Sequence, residues 1–341
     1  MIVESIQDHQ SEQWDAYVTG HPNQTFYHQW AWKRLVEQVH GHRGLYHVAR
    51  EGEKVVGVLP MFYIKGPIGG VKLIATPAAV VGGILADSPQ AEALLIETAV
   101  SYAKSMNVDY LVLRQGVPLD SELLVTDSRF ANVHVPLMDP EVHFPQLRTD
   151  IRRCLRRALE KDFEYELQSR DIDTFYDYYA RGMRALGTPV EGARWIKTLF
   201  HAFPDNHFVA MVRHQGTVVL VKLMRVYGNQ IMPVLSYGHP DYKGWYPEHA
   251  LTWKMMEWGY QQGKKIYNFG RSLKDSGAYK FKMGWIGEEA PLYYQYYLHQ
   301  AKSMPDHAQT SERRQSVAAI WRRMPLFLTN WIGPRIRKWY V

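Results

Sequence analysis

Residues 267–285 contain the densest group of side chains that could do chemistry. An apolar strand ends at Phe269, and Gly270 lets the backbone turn or approach a ligand closely. Cationic, hydroxyl and aromatic side chains then follow one another: Arg271, Ser272, Lys274, Tyr279, Lys280, Phe281, Lys282 and Trp285. Fixed cations at a strand end in an α/β protein suit the binding of an anion, or the stabilisation of an oxyanion during acyl transfer. The alternative is a solvated loop with an aromatic platform against the core, because charge runs are usually surface features.

Residues 236–247 form a second candidate, directly before a long helical pattern. Tyr237 and His239 could carry protons or position a substrate. The helix that follows could offer its first N–H groups, which lack partners within the helix, to an anion. Turn chemistry combined with aromatic packing is the alternative for this segment.

An amphipathic helix is expected over residues 151–161, with an apolar face that includes Cys154. Its opposite face carries Arg152, Arg153, Arg156, Arg157 and Lys161. These cations could bind phosphate or carboxylate, although amphipathic helices normally have such a solvated face. Cys154 is expected to pack in the core, because a nucleophilic thiol needs an accessible, electropositive site.

Several common kinds of site are not supported by the sequence. The 15 histidines include no His-Glu-x-x-His pattern, and no cysteine pair accompanies them, so no metal is expected. Neither a Gly-x-Ser-x-Gly elbow nor a phosphate-binding or dinucleotide-binding fingerprint occurs. We therefore expect neither a Ser-His-Asp hydrolase nor a tightly bound cofactor.

Length and composition are those of a globular protein of two domains. The 341 residues exceed the usual size of one domain. Hydrophobic residues make up 46% and charged residues 22%, which is ordinary for a globular chain. A single cysteine excludes an internal disulfide and indicates a reducing compartment. The chain opens with no signal peptide and has no apolar run of transmembrane length, so we expect it in the cytoplasm.

The net charge of +6 resides in the C-terminal tail. Residues 312–341 hold seven basic residues and one acid, whereas the rest of the chain is neutral, with 33 of each. This distribution disfavours a DNA-coating protein. The apolar, aromatic and basic residues of 317–341 could rest on the anionic inner membrane leaflet, which would make the protein peripheral there. Packing of the tail against the body of the protein is the alternative.

The two halves of the chain share one pattern. In each, a helix precedes a hairpin, and a further strand, a long helix and another strand follow. The helix tryptophans, Trp32 and Trp195, are 163 residues apart, and the hairpin glycines, Gly52 and Gly216, are 164 apart. The pattern predicts two mixed α/β units joined near residues 140–150, where Asp150 could cap the next helix.

These features resemble the Fem-type (FemAB-like) acyltransferases, and more closely the branch associated with exosortase and exopolysaccharide gene clusters. The resemblance covers about residues 20–297 and rests mainly on Asn268-Phe-Gly-Arg-Ser272 followed by Tyr279-Lys-Phe-Lys-Met-Gly-Trp285. It implies two tandem N-acetyltransferase-like (GNAT) domains, each a mixed, mostly antiparallel sheet flanked by helices. We place these domains at residues 1–145 and 146–300, with a basic aromatic tail at 301–341.

The resemblance also implies a reaction, the transfer of an acyl group to an amine from acyl-CoA or aminoacyl-tRNA. By position, Lys282 would stabilise the charged tetrahedral intermediate, with Arg271 and Tyr237 as further catalytic residues. Substrate contacts are expected from Arg184, His239, Asn268, Ser272, Tyr279, Lys280, Phe281 and Trp285.

Three departures from the family pattern bear on the site or on its donor. Asn268 stands where the family usually has Asp, which removes a carboxylate. The Gln/Arg-x-x-Gly-x-Gly/Ala loop that grips the CoA pyrophosphate is missing from both halves, and Lys243-Gly-Trp-Tyr-Pro247 takes its place in the second. The helical hairpin of some Fem transferases also has no counterpart, which disfavours tRNA as a partner.

The sequence therefore predicts an N-acyltransferase acting on a small-molecule or sugar-linked amine, in the assembly of the cell envelope or of an exopolysaccharide. The alternative is a catalytically degenerate scaffold with the same fold in exopolysaccharide assembly.

Overall fold

The structure is a computed structural model that describes residues 1–67, 69–305 and 312–339. Its strands, in chain order, are β1 (Ile2–Ser5), β2 (Arg43–Glu51), β3 (Lys54–Lys65), β4 (Val71–Ala75), β5 (Leu85–Ala86), β6 (Tyr110–Gln115), β7 (Val125–Asp127), β8 (Phe130–Pro136), β9 (Glu164–Ser169), β10 (His207–His214), β11 (Thr217–Tyr227), β12 (Gln230–Gly238), β13 (Ile266–Leu273), β14 (Glu288–Ala290) and β15 (Tyr293–Leu298). Its α-helices are α1 (Ser11–Gly20), α2 (Trp30–His40), α3 (Pro89–Ser105), α4 (Pro140–Gln146), α5 (Thr149–Leu159), α6 (Ile172–Leu186), α7 (Ala193–Ala202), α8 (Pro247–Gln261), α9 (Gly277–Met283), α10 (Glu312–Arg323) and α11 (Leu326–Arg337). Short 3-10 helices span Asp8–Gln10, Phe26–His28 and Pro240–Trp245.

Contacts divide the chain into two compact units, each with its own sheet. The first unit comprises Met1–Phe130, Pro291–Ala308 and Ile336–Val341. The second comprises Ala131–Ala290 and Gln309–Arg335. The units are therefore not continuous in sequence, whereas the domains expected at 1–145 and 146–300 follow chain order.

Strand β15 is the main cause of this difference. It pairs antiparallel with β6 and with β7, so it belongs to the first sheet. Its residues Tyr294, Gln295 and Tyr296 are buried there. The aromatic run predicts a strand, but nothing in a single sequence indicates which sheet the strand joins.

The first sheet has the order β1–β2–β3–β4–β6–β15–β7, with β5 beside β3. Helix α2 precedes the antiparallel β2–β3 hairpin, and β4 continues it antiparallel to β3. After α3, strand β6 pairs parallel with β4. The apolar face of α3, which includes Leu95 and Ala99, packs on Leu59, Leu73 and Leu111 of these strands and closes the core.

The second sheet, β14–β8–β13–β12–β11–β10–β9, repeats this plan. Helix α7 precedes the β10–β11 hairpin, β12 lies antiparallel to β11, and after α8 strand β13 pairs parallel with β12. Trp32 and Trp195 are buried on equivalent helices. Gly52 and Gly216 turn equivalent hairpins with φ of 58° and 77°, a backbone conformation that favours glycine. The predicted fold class, two tandem mixed units, is confirmed.

Helix α5 begins earlier than expected and without the expected cap. It starts at Thr149, so Asp150 lies inside the first turn. The carboxylate of Asp150 accepts two hydrogen bonds from the Arg148 guanidinium, at 2.6 and 2.8 Å, and this pairing lowers the pKa of Asp150 to about 2. The predicted cap was therefore wrong, because an arginine two residues earlier competes for the carboxylate. Cys154, expected in the core, is half-buried.

The tail forms two helices, and one face of each packs on the second unit. Ala318 on α10 lies so close to Gly187 that a Cβ at Gly187 would come within 2.6 Å of the Ala318 methyl group. Trp321 and Thr329 are buried, and the Arg322 guanidinium donates to the carbonyl of Ala185 at 3.2 Å. Packing against the protein's own body therefore accounts for part of the tail. Of the tail expected at 301–341, residues 306–311, 340 and 341 lie outside the described residues.

Two further findings concern the described residues alone. No helix within residues 1–67, 69–305 and 312–339 is both long and apolar enough to cross a membrane. Over the same ranges, no three His, Cys, Asp or Glu side chains are grouped as a metal site requires. Individual histidines instead serve the core, as at His28, whose buried ring meets the carbonyl of Gly83 at 3.1 Å.

The buried histidines predict a loss of stability in mild acid. Burial lowers the pKa of His28, His42 and His47 to about 4, and that of His207 to about 2. The unfolded chain, with histidine pKa near 6.5, then binds protons first as the pH falls. Stability should be complete above pH ~6.5 and should decline by about 1.4 kcal/mol per pH unit for each such histidine below it.

Replacement of one histidine tests this expectation. His47→Phe keeps a ring beside Tyr102, whose centroid lies 4.6 Å away, and removes the titrating group. The variant should gain about 2 kcal/mol over the wild type at pH 5 relative to pH 7.5 in urea unfolding. A pH-independent difference between the two proteins would contradict a neutral, buried His47.

Candidate active site

The second sheet opens between two of its inner strands. β12 and β13 pair in parallel only at Gln230–Ile266 and Ile231–Tyr267, although each strand continues for six or more residues. Beyond that point, a run of β12 is only half-buried inside a seven-stranded sheet: Met232, Pro233, Val234 and Leu235. A parallel ladder that ends early leaves two strand edges with room between them for a ligand.

Lys282 lies on α9, beside β13 past the end of this ladder. Its Nζ donates to the carbonyl oxygens of Gly270, at 3.0 Å, and Arg271, at 3.2 Å. An ammonium has three N–H donors, and the third meets no acceptor in the described part of the chain. Burial, and then the positive charge of Arg271, lower the pKa of Lys282 to about 8. A fixed, partly desolvated cation with a remaining donor is suited to bind an oxyanion.

Gly270 and Asn268 shape the backbone to which Lys282 is bonded. Gly270 has φ of 72°, a left-handed conformation that side chains disfavour. The Asn268 Oδ1 accepts the Gly270 N–H at 2.8 Å, and its Nδ2 donates to Gln230 Oε1 at 2.9 Å. These bonds tie the bend of β13 to the start of β12. An Asp could make the first bond, but it would need the Gln230 amide turned round for the second.

An aromatic cluster anchors α9 to the core. The buried Trp285 ring lies 6.0 Å from Phe281, and Phe281 lies 6.1 Å from Phe269 of β13, centroid to centroid. The His249 ring of α8 lies 5.2 Å from Phe281 and 6.0 Å from Trp285, so the three rings pack together. Pairs of this kind contribute about 0.5–1.5 kcal/mol each beyond their buried area. The segment thus contains both features that were alternatives in the sequence, an aromatic platform and a fixed cation.

The other residues of this segment are engaged differently. The Tyr279 hydroxyl donates to the Glu289 carboxylate, which also pairs with Lys274 at 3.0 Å. Lys280 is exposed, and Ser272 is buried on β13. Arg271 is exposed on the same strand and acts on Lys282 through its charge.

A second group of expected site residues lies on α6 and at the end of β12. The Tyr237 ring packs directly on Gly182 of α6, where a Cβ would come within 1.9 Å of the ring. Burial raises the pKa of Tyr237, so its phenol is neutral at physiological pH. Arg184, further along α6, donates to the carbonyl of Met324 at 3.5 Å. His239 begins the 3-10 helix that leads to α8, and its Nδ1 accepts the backbone N–H two residues on.

One buried ion pair was not expected from the sequence. Lys222 of β11 is 1% exposed, and its Nζ lies 2.7 Å from Glu248 Oε1 and 2.8 Å from Thr252 Oγ1 of α8. Burial disfavours the ammonium, but the charge of Glu248 outweighs this and raises the pKa of Lys222. The signal was a lysine inside an apolar strand, residues 218–224. The pair holds the start of α8 on the sheet.

The equivalent place in the first unit is filled by its own chain. After β4 ends, the Gly82 N–H donates to the carbonyl of Arg114 on β6 at 3.0 Å. The Arg114 guanidinium donates in turn to the carbonyl of Ala79 at 2.9 Å. A Cβ at Gly83 would come within 2.6 Å of the Gln115 side chain. The candidate site is therefore in the second unit.

The two partners of the buried ion pair should differ in cost when replaced. Glu248→Ala leaves an enclosed ammonium beside the hydroxyls of Thr252 and Tyr267, without a carboxylate, and should lower the free energy of unfolding by about 3–5 kcal/mol. Lys222→Met leaves a carboxylate that water reaches, since the Glu248 side chain is 42% exposed, and should cost less than about 1.5 kcal/mol. Urea unfolding of both variants measures the difference, and equal losses would contradict the enclosure of Lys222.

Comparison with known proteins places this site in a familiar domain type. Residues 145–283 match a family model described as an acetyltransferase (GNAT) domain. The matched range contains the β12–β13 opening and Lys282, and it is less than half of the chain. No curated protein matches the chain.

Solved structures resemble the whole chain. FemX has a TM-score of 0.65 at 14% identity, over 88% of this chain and 98% of FemX. L-PGS from Bacillus licheniformis has 0.55 at 14%, over 95% of this chain and 100% of that one. A tandem GNAT protein from the clavulanic acid biosynthesis pathway has 0.53 at 12%, over 89% and 100%. At such identities the likeness shows the fold alone. The fold is that of tandem GNAT proteins, and the second unit of this chain contains an acetyltransferase (GNAT) domain.

Proposed function

We propose that the second unit transfers an acyl group to an amine, and that Lys282 stabilises the oxyanion formed at the acyl carbon. One observation carries the proposal. The Lys282 ammonium is fixed by two carbonyls of β13, near the place where β12 and β13 stop pairing, and has a donor left over. A donor fixed in advance needs no reorganisation when charge develops, which is the main source of such stabilisation.

In the proposed step the lone pair of the amine nitrogen attacks the acyl carbon, and the carbonyl oxygen becomes an oxyanion beside Lys282. Collapse of the tetrahedral intermediate breaks the bond to the donor, which leaves with a proton, while the new amide nitrogen loses one. We assign the neutral phenol of Tyr237 as proton donor to the leaving group, and the phenolate that remains takes the proton that the amide nitrogen loses, which restores the phenol. Arg271 adds positive charge next to Lys282.

The residues expected to contact substrate form two groups, those retained as substrate contacts and those that protein atoms already engage. We retain Arg184, His239, Ser272 and Lys280 as contacts for the acceptor or the acyl donor. The polar groups of Asn268 and Tyr279 bond to protein atoms, and the rings of Phe281 and Trp285 pack on one another. We assign these four residues the task of holding β13 and α9 in position.

The start of α8 bears on the identity of the acyl donor. A GNAT domain implies acyl-CoA as co-substrate. Helix starts bind phosphate through N–H groups without partners, but Pro247 has no N–H, and those of His249 and Ala250 bond to the carbonyl of Tyr246. The carboxylate of Glu248 lies in the same turn. The start of α8 therefore does not fit a pyrophosphate.

We infer that any CoA donor is held by side chains, of which Lys243, exposed just before α8, is the nearest cation in sequence. Aminoacyl-tRNA is the second candidate donor, because its acyl carrier needs no pyrophosphate cradle at this helix. The absence of a Fem-type helical hairpin disfavours tRNA.

For the acceptor we propose a small-molecule or sugar-linked amine used in cell-envelope or exopolysaccharide assembly, in the cytoplasm. Its support is the resemblance of residues 268–285 to the exosortase-associated branch. The rival is a degenerate scaffold in exopolysaccharide assembly, favoured by the missing pyrophosphate loop. Calorimetric titration separates them, since a scaffold binds neither acyl-CoA nor an aminoacyl donor.

Replacement of Lys282 tests the proposed function directly. Lys282→Met should reduce kcat by two orders of magnitude or more with the fold intact, because one oxyanion donor contributes about 2.7–4 kcal/mol to the barrier. Lys265→Met is the control, since Lys265 is exposed directly before β13 and the proposal gives its side chain no contact. Equal kcat for wild type and Lys282→Met would remove Lys282 from the mechanism.

The pH dependence of turnover distinguishes a cation from a base. Lys282 must be protonated to stabilise an oxyanion, so kcat/KM should fall as the pH rises through about 8, the pKa of this group in the free protein. Arg271→Gln removes a charge that lowers that pKa and should move the alkaline limb to higher pH. A rate that instead rises through pH 8 and reaches a plateau in both proteins would indicate that Lys282 acts as a base.

A further inference from the structure

The two tail helices expose large apolar side chains that the proposed function does not use. On α10, Val317 is 52% and Ile320 is 66% exposed. On α11, Phe327 is 71% and Trp331 is 60% exposed. Each pair is three or four residues apart, so each lies on one side of its helix. Isolated exposed hydrophobic residues are ordinary, but four within 15 residues need an explanation.

The opposite sides of both helices are already occupied. Trp321 of α10 and Thr329 of α11 are buried, and a Cβ at Gly333 would come within 2.9 Å of the Val190 side chain. The helices are therefore fixed on the second unit, with Ile320 and Phe327 on sides that face away from the packed ones. Ile320 and Phe327 are exposed because each helix packs on the second unit with only one of its sides.

Cations accompany the exposed apolar residues. Arg322, Arg323 and Arg335 are exposed on the same two helices, and the Arg335 guanidinium lies 4.4 Å from the centroid of the Trp331 ring. No acidic residue occurs in residues 317–339. Aromatic and aliphatic side chains rimmed by arginine, without a carboxylate, match a surface that is anionic outside and apolar beneath.

From this pattern we propose that the α10–α11 surface, made of Val317, Ile320, Phe327, Trp331 and the three arginines, docks on an anionic lipid bilayer. The proposal goes beyond acyl transfer and rests on different residues. A second copy of the chain fits less well, because a twofold interface pairs this surface with itself, and residues 317–339 offer no carboxylate to its arginines. A nucleic acid would use the arginines and leave four apolar side chains in water. At a bilayer each arginine near the surface should strengthen binding about fivefold.

Co-sedimentation of the full chain with vesicles tests the proposal. Wild type should bind vesicles of phosphatidylglycerol mixed with phosphatidylcholine and should not bind phosphatidylcholine alone. Two independent variants, Phe327→Ser/Trp331→Ser on α11 and Val317→Ser/Ile320→Ser on α10, should each weaken binding at least tenfold. The matched control is Leu123→Ser/Val125→Ser in the first unit, where the exposures are a similar 51% and 49%. Its binding should equal that of wild type.

Three results would overturn the proposal. Wild type could fail to bind the anionic vesicles, or both tail variants could bind them as tightly as wild type. Sedimentation velocity could also show a wild-type dimer that both tail variants dissociate, which would assign the surface to a second copy. Thermal unfolding of each variant identifies any that do not fold, and the pair on the other helix then decides.

Discussion

The second unit depends on the early end of one parallel ladder. Backbone N–H and C=O groups inside a sheet normally bond to the next strand, and a strand pair that stops bonding must be held apart by something else. Here the Asn268 side chain accepts a hydrogen bond from the Gly270 N–H, and the Lys282 ammonium donates to two carbonyl oxygens of β13. Hydrogen bonds to one stretch of β13, residues 268–271, therefore both shape the strand and fix the cation.

The two units share one topology but differ in this constraint. In the first unit, the loop that contains Ala79 and Gly82 hydrogen-bonds to Arg114 of β6 and fills the space beside that strand. In the second, α9 supplies a lysine beside β13 instead. The buried Lys222–Glu248 pair adds a cost that an apolar pair would avoid. The pair lies at the first turn of α8, so it fixes the start of the helix at a cost in stability. It also fixes the Glu248 carboxylate, which makes this helix start unsuited to phosphate.

Much of the fold could be predicted from the sequence because it is local. Helical and alternating patterns, turn glycines at matched offsets and paired tryptophans are read directly from neighbouring residues, and they predict two mixed units. The sheet to which β15 belongs could not be predicted, because strand pairing across 180 residues leaves no periodic signal. The prediction that Asp150 caps α5 was wrong because the Arg148 guanidinium competes with the backbone of the helix for the Asp150 carboxylate.

Within the candidate site, the sequence identified the cations but not their geometry. A lysine after Phe281 could be recognised, whereas its two carbonyl partners follow from the bend at Gly270, which only coordinates reveal. Lys222 was visible as a charge in an apolar strand, yet its partner is 26 residues away on a helix.

The most direct test of the central claim is a crystal structure of the chain with a non-transferable amide or ketone analogue of the acyl donor. The account predicts the acyl group between β12 and β13, with its carbonyl oxygen about 3 Å from Lys282 Nζ. An acyl carbonyl bound elsewhere, with Lys282 still bonded only to Gly270 and Arg271, would contradict it.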